Sequence, residues 1–163
     1  MKISPAIKGI ITAALMTGVI LLIYNMGKNA DPRLQYAVYA IYAVGIVWTL
    51  VAFRQTAAYT GSFGNLFNQG FKCFIVVTLI MALFYGIFNY SHPEFAEESS
   101  KIYKEQLLSE KNGSKTPDEI EEATRSYKKG YNMAVVYGSI FGYLIIGVAV
   151  TAAISVFLIK RKE

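Results

Sequence analysis

The sequence predicts an all-α integral membrane protein: a four-helix bundle with an extracytoplasmic helical hairpin between spans three and four. Three observations predict it. Four apolar stretches are each long enough to cross a hydrocarbon core about 30 Å thick, which takes roughly 20 helical residues. Hydrophobic residues make up 54% of the chain and charged residues only 17%, a composition unlike that of a soluble domain. Apart from Asp31 and Glu163, the acidic residues all lie between Glu94 and Glu122.

The predicted spans contain no Asp, Glu, Lys, Arg or His, and they belong to one membrane domain, 1–163. They cover residues 9–26, 34–53, 73–90 and 133–159. The fourth is the longest, so we expect its first turn to extend beyond the lipid. The basic, then apolar, N-terminus also resembles the start of a secretory signal peptide. No small-x-small cleavage site directly follows this apolar run, and three further spans come after it. An uncleaved first helix is therefore the simpler interpretation.

Basic residues predict the orientation of the spans. Four spans return the chain to its starting side, so both termini and the second link share one compartment. That side holds one acid, Glu163, and the following basic residues: Lys2, Lys8, Arg54, Lys72, Lys160, Arg161 and Lys162. The first link holds only Lys28 and Arg33, with Asp31. The excess of Lys and Arg predicts that both termini are cytoplasmic.

The second link, 54–72, has apolar residues at helical spacing after a plausible N-cap, Ser62. This pattern favours a helix in the cytoplasmic interface, but glycines within it also favour an irregular loop, and 59–71 is left open between the two.

The third link, 93–130, predicts two helices with a break at Asn112-Gly113-Ser114. Thr116, Pro117 and Glu119 form a capping box with proline at the first helical position, so the second helix starts there and continues into span four. The first helix has a sparse apolar face at Phe95, Ile102 and Leu107 or Leu108. We expect this face to pack on the hairpin itself or on the membrane surface, with a partner-binding site as the alternative.

Three segments resemble the DUF4199 family of small membrane proteins, found mainly in Bacteroidota. They are residues 62–72, His92-Pro93-Glu94-Phe95, and residues 117–123, and the order and spacing agree over nearly the whole chain. Where family members usually carry a charged residue near Asn65 or Asn68, this chain has neutral amides. The resemblance implies the fold, the topology and a setting in the bacterial cytoplasmic (inner) membrane. It implies no catalytic residue, binding residue or cofactor.

Chemistry at the bilayer centre is not indicated, because an intramembrane charge is the usual sign of a proton path or a voltage sensor and the spans have none. The only imidazole, His92, is interpreted as an interfacial residue beside a helix break. The lone Cys73 is interpreted as packing, with palmitoylation or reactivity as alternatives. No catalytic, cofactor or metal site is predicted. The net charge of +5 is distributed as membrane-side anchors, so nucleic acid is not a predicted partner.

Small residues and buried phenols are the candidate site residues. Gly138 with Gly142 in span four, and Ala14 with Gly18 in span one, have the spacing at which helices pack closely in lipid. They are predicted to pack within the bundle or between copies in a homo-oligomer. In span two, Tyr39 and Tyr42 lie deep enough that their hydroxyls need partners, which predicts structural hydrogen bonds or a small polar pocket.

The sequence therefore predicts a non-enzymatic structural or interaction component of the cell envelope. Its partners are the lipid bilayer and either a second copy or an envelope protein held through the 93–130 hairpin. One alternative is a subunit of an oligomeric channel or transporter, with a path along Gly138 and Gly142 or near Tyr39 and Tyr42. The other is a membrane enzyme acting at the interface around His92.

Overall fold

The computed structural model describes residues 3–27, 32–109 and 116–159. Within these ranges the chain forms five α-helices and no strand. The helices are α1 (Pro5–Asn25), α2 (Pro32–Arg54), α3 (Phe63–Ser91), α4 (Glu94–Ser109) and α5 (Pro117–Leu158). All but α4 are long and apolar enough to cross a membrane. The predicted all-α class with four such helices is confirmed.

Helix α1 begins earlier than the predicted span. The amide of Ile7 donates to Ser4 Oγ at 3.3 Å, and Pro5 takes the first helical position, where a missing N–H removes no helical hydrogen bond. The helix thus begins four residues before the predicted span 9–26, whose bounds in a membrane stay a prediction. Lys8 therefore lies inside α1, one position before the predicted charge-free span 9–26.

Helix α3 contains most of the predicted interfacial segment. The amide of Asn65 donates to Ser62 Oγ at 3.3 Å, which confirms Ser62 as the N-cap. From Phe63 the helix continues unbroken to Ser91. Residues 63–71 are therefore neither a separate interfacial helix nor a loop, and only 55–62 are irregular. Gly70 is buried against the side chain of Thr151, so its place in the helix has a packing reason.

Helix α5 begins at the predicted capping box. Glu119 Oε2 accepts from the Thr116 amide at 2.6 Å, and the Glu119 amide donates back to Thr116 Oγ1 at 3.4 Å. The helix has 42 residues, or about 63 Å at 1.5 Å per residue. It contains both the second helix of the predicted hairpin and the fourth predicted span, so the predicted continuous helix is confirmed. The break predicted at 112–114 lies outside the described residues.

The chain divides into two compact units. Unit 1 comprises Met1–Met81 and Ile140–Glu163, and unit 2 comprises Ala82–Ser139. In unit 1, glycines allow close helix contacts. A Cβ on Gly9 would lie 2.7 Å from the carbonyl oxygen of Cys73, and one on Gly45 would overlap the side chain of Thr12. These contacts join α1 to α3 and to α2.

The buried interior of unit 1 is mainly apolar and aromatic. Its fully buried side chains include Met16, Tyr42, Ile46, Leu50, Leu66, Phe74, Val77 and Met81. These residues come from α1, α2 and α3, while Gly147 of α5 packs against both Tyr42 and Phe74. Segments of all four long apolar helices therefore contribute to unit 1.

Candidate functional site

A cavity of about 760 Å³ opens in unit 1 between the start of α1, the end of α2 and the following turn. Its polar lining includes Ser4, Lys8, Thr49, Gln55 and Gln69, and the Trp48 ring forms part of an apolar wall. Ile3, Pro5, Phe53 and three alanines supply apolar walls. None of the described residues that line it is acidic. The volume lies in the range of 300 to 1,000 Å³ typical of small-molecule sites.

Among the described residues of this lining, Lys8 alone has a basic or acidic side chain, and only 7% of the residue is exposed. Its ammonium nitrogen lies 5.2 Å from the centroid of the Trp48 ring, a cation–π contact worth about 0.5 to 2 kcal/mol. Withdrawing an ammonium from water costs several kcal/mol in real proteins. The ring therefore offsets only part of the cost of burying this charge.

No carboxylate in the described part of unit 1 can neutralise Lys8. The sequence of this unit contains two acidic residues, Asp31 and Glu163, and both lie outside the described residues. Lys8 also lies in the first turns of α1, where the helix dipole presents its positive end. The cavity thus has a net positive character together with apolar walls.

The small residues singled out in the sequence do not make close helix contacts. A Cβ added to Gly138, Gly142 or Gly18 meets nothing within 4 Å, and Ala14 is exposed. Close packing of these residues against another helix is therefore not observed within the described ranges. Their use between two copies stays a prediction.

Tyr42 is fully buried, and its hydroxyl donates to the carbonyl oxygen of Tyr143 at 2.9 Å. Tyr39 is half-buried, with its ring 6.0 Å from that of Tyr143. A Cβ on Gly147 would lie 2.5 Å from Tyr42 Oη, so the space around this hydroxyl is filled. The geometry at Tyr42 is that of a structural hydrogen bond between α2 and α5.

His92 and Cys73 both contact main-chain carbonyl groups of neighbouring residues. His92 Nδ1 lies 2.8 Å from the carbonyl oxygen of Phe88, and its ring clusters with those of Phe88 and Phe95 at centroid distances of 4.4 and 5.8 Å, where α3 ends and α4 begins. Cys73 is fully buried, with its sulfur 4.0 Å from the carbonyl oxygen of Gly45. The interpretation of Cys73 as packing is confirmed, because a buried thiol is closed to modification.

In unit 2, α4 contacts the first part of α5. Lys128 Nζ donates to Glu97 Oε1 at 2.8 Å, and the rings of Tyr103 and Tyr127 stack with centroids 4.5 Å apart. The hydrogen bond from Lys128, and then its charge, lower the pKa of Glu97 below the usual value.

Only part of the predicted apolar face of α4 is buried. Leu107 is buried, and Phe95 is half-buried with its ring stacked on that of Phe88. Ile102 and Leu108 are 52% and 63% exposed. The assignment of Ile102 to a packed face is therefore not supported within this chain.

Lys8 and Trp48 do not stand out as a pair in the amino-acid sequence. Hydropathy places Lys8 outside the first span as a membrane-side anchor, whereas Ser4 and Pro5 form a recognisable helix start that places it one turn inside α1. No local pattern brings Lys8 next to Trp48, because the two residues lie on different helices. Their proximity depends on how α1 and α2 pack.

Comparison with known proteins identifies a family and no nearer relative. No curated protein and no solved structure matches the chain. The family model described as "Protein of unknown function (DUF4199)" matches residues 6–160, which is nearly the whole sequence. The match agrees with the segments around Ser62, His92 and Pro117 that carry the resemblance, and the chain therefore belongs to the DUF4199 family.

Proposed function

We propose that the chain is a multi-pass protein of the bacterial inner membrane, and a non-enzymatic structural or interaction component of the cell envelope. In this proposal α1, α2, α3 and the apolar part of α5 cross the bilayer with both termini in the cytoplasm. The hairpin, defined as α4 with residues 117–130 of α5, lies outside the lipid and contacts an envelope protein or a second copy.

The length of α5 is the observation that carries the proposal. At about 63 Å it is roughly twice the thickness of a hydrocarbon core, so one span uses only part of it. The remaining part holds Asp118, Glu119, Glu121 and Glu122. These carboxylates favour water over lipid, which supports a solvent-exposed extension of the helix.

The surface of the hairpin supports contact with a partner. The Glu97–Lys128 ion pair and the Tyr103–Tyr127 stack hold α4 against α5. Ile102 and Leu108 stay exposed among charged neighbours. These apolar side chains therefore face outward from the hairpin, although α4 already contacts α5 through other residues. These exposed side chains are the proposed contact points.

Orientation is tested by labelling single cysteines in intact cells, in a Cys73→Ser background. A cysteine at Ser109 is expected to react with a membrane-impermeant maleimide, whereas one at Ser62 is expected to react only after the cells are opened. Labelling of the Ser62 position alone in intact cells would reverse the proposed orientation.

Partner contact is tested by photo-cross-linking in native membranes. A photoreactive residue at Ile102 is expected to give a discrete protein adduct, and one at Ile145, which is 68% exposed on the apolar part of α5, is expected to give lipid adducts. Lipid adducts alone at both positions would count against an interaction surface on the hairpin.

A channel or transporter subunit is the second candidate, favoured by the open space beside Gly138 and Gly142. Two copies packed along this face could enclose a path between protomers. Reconstituted flux that Gly138→Leu abolishes would favour this function over the first.

A further inference from the structure

We infer that the cavity beside Lys8 binds the phosphate group of an anionic phospholipid. The ammonium of Lys8 faces the phosphate, and an acyl chain lies along the apolar wall formed by Trp48 and Phe53. This inference rests on the membrane insertion proposed above and is independent of the hairpin's role.

The buried positive charge of Lys8 favours an anion that the described residues do not supply. Lys8 is 7% exposed, forms no ion pair or side-chain hydrogen bond among the described residues, and borders a cavity whose lining has no carboxylate. Buried charges in proteins are normally paired. A phosphodiester supplies one negative charge and acceptor oxygens for the ammonium, and Ser4, Gln55 and Gln69 add polar side chains to the same cavity.

The walls and the surroundings favour a lipid as the source of that phosphate. The cavity lies against α1 and α2, two of the helices apolar enough to span a membrane, and Trp48 is 40% exposed beside it. Tyr59 Oη donates to the carbonyl oxygen of Leu158 at 3.1 Å, so the end of α5 meets the same end of unit 1. Exposed Arg54 ends α2 there. Basic pockets between helices at a membrane surface are typical sites for anionic headgroups.

Trp48 provides the measurement, because it is the only tryptophan in the chain. The full-length protein is reconstituted into vesicles of phosphatidylcholine containing either dibrominated phosphatidylglycerol or dibrominated phosphatidylcholine at equal mole fraction. Bromine on the acyl chains quenches nearby tryptophan fluorescence. We expect the relative binding constant at Trp48 to favour phosphatidylglycerol by about fivefold, the preference that one added cation at a membrane surface provides.

Variants identify the responsible cation. Lys8→Gln is expected to reduce the preference to about one, and Lys8→Arg to retain it because the charge is kept. Lys72→Gln is the matched control: Lys72 is exposed and does not line the cavity, so removing it lowers the general attraction of anionic lipid and leaves the site intact. Equal quenching by both lipids in the wild type would overturn the inference. A preference that persists in Lys8→Gln, or that is lost equally in Lys72→Gln, would also overturn it.

Two further measurements distinguish lipid binding from binding of free phosphate and from a failure to insert or fold. Sodium phosphate, compared with sodium chloride at equal ionic strength in pure phosphatidylcholine vesicles, is expected to leave Trp48 emission unchanged. A Lys8-dependent change there, without lipid preference, would assign the cavity to a soluble anion and overturn the lipid source. Flotation of the wild type with vesicles tests insertion separately. If Lys8→Gln does not fold, brominated phosphatidylglycerol is competed in the wild type with either unbrominated phosphatidylglycerol or unbrominated phosphatidylcholine. Greater relief of quenching by phosphatidylglycerol supports the inference, and equal relief overturns it.

Discussion

The hydroxyl of Tyr42 donates a hydrogen bond to the main-chain carbonyl oxygen of Tyr143, 2.9 Å away. This bond joins α2 to α5, and the two rings meet edge to face with centroids 5.4 Å apart. Tyr42 is fully buried, so its hydroxyl has no access to solvent. The contact therefore stabilises the packing of two helices that are far apart in sequence.

Tyr42→Phe is expected to lower the free energy of unfolding by about 0.6 kcal/mol and by no more than about 2 kcal/mol, the range for hydrogen bonds between membrane helices. Tyr39→Phe is the control, because the Tyr39 ring is only half-buried and its hydroxyl makes no hydrogen bond among the described residues. Unfolding in mixed detergent micelles, followed by circular dichroism, measures both. An equal or larger loss in Tyr39→Phe would contradict the assigned role of Tyr42.

Gly147→Ala is expected to destabilise the protein by about 1 to 3 kcal/mol, as overpacking of a filled interior does. The added Cβ would lie 2.5 Å from Tyr42 Oη and 2.7 Å from Phe74 Cγ. Gly138→Ala is the matched variant on the same helix, where an added Cβ meets nothing within 4 Å. It is expected to leave stability unchanged or to raise it by up to about 1 kcal/mol through better helix propensity.

The same micelle unfolding experiment compares the two glycine variants. If Gly138→Ala were the more destabilising one, Gly138 would be in contact with another helix. Whether that contact lies within one chain or between two would then follow from the dependence of the loss on protein concentration.

Thr151→Val is expected to leave stability unchanged or to raise it by up to about 1 kcal/mol. Thr151 Oγ1 is buried and has no hydrogen-bond partner among the described residues, and valine replaces it with a methyl group of similar size. Thr78→Val is the control. Its hydroxyl donates to the carbonyl oxygen of Phe74 at 2.9 Å, so its loss is expected to cost about 0.5 kcal/mol. A clear loss of stability in Thr151→Val would show that its hydroxyl has a partner.

The Glu97–Lys128 pair is expected to make the contact between α4 and α5 pH-dependent. Because the pKa of Glu97 is lower in the folded protein than its ordinary value, folding favours the ionised form. The contribution is fully present above the ordinary glutamate pKa of about 4.3 and is lost as the pH falls through the lowered folded value. High salt is expected to weaken it, since both side chains are about half exposed.

A carboxyl NMR titration of Glu97 measures this effect. Lys128→Gln is expected to move the Glu97 pKa back toward its ordinary value, whereas Lys129→Gln, at the next position, is expected to change it less. An unchanged Glu97 pKa in Lys128→Gln would exclude the ion pair in solution.

Helix positions and helix starts were determined by the sequence itself. Four apolar stretches, the Ser62 cap and the Thr116–Glu119 capping box are local patterns, because hydropathy and capping involve residues within a few positions of one another. The continuous run from Pro117 to Leu158 followed from the same local signals.

Only the tertiary structure decided which small residues pack and where the buried charge lies. Gly147 packs closely and Gly138 does not, although both are helical glycines on α5, because the difference depends on which helix face meets a neighbour. Lys8 and Trp48 are 40 positions apart and meet because α1 packs on α2. Spacing along one helix specifies a face, but the partner of that face is set by the packing of the other helices.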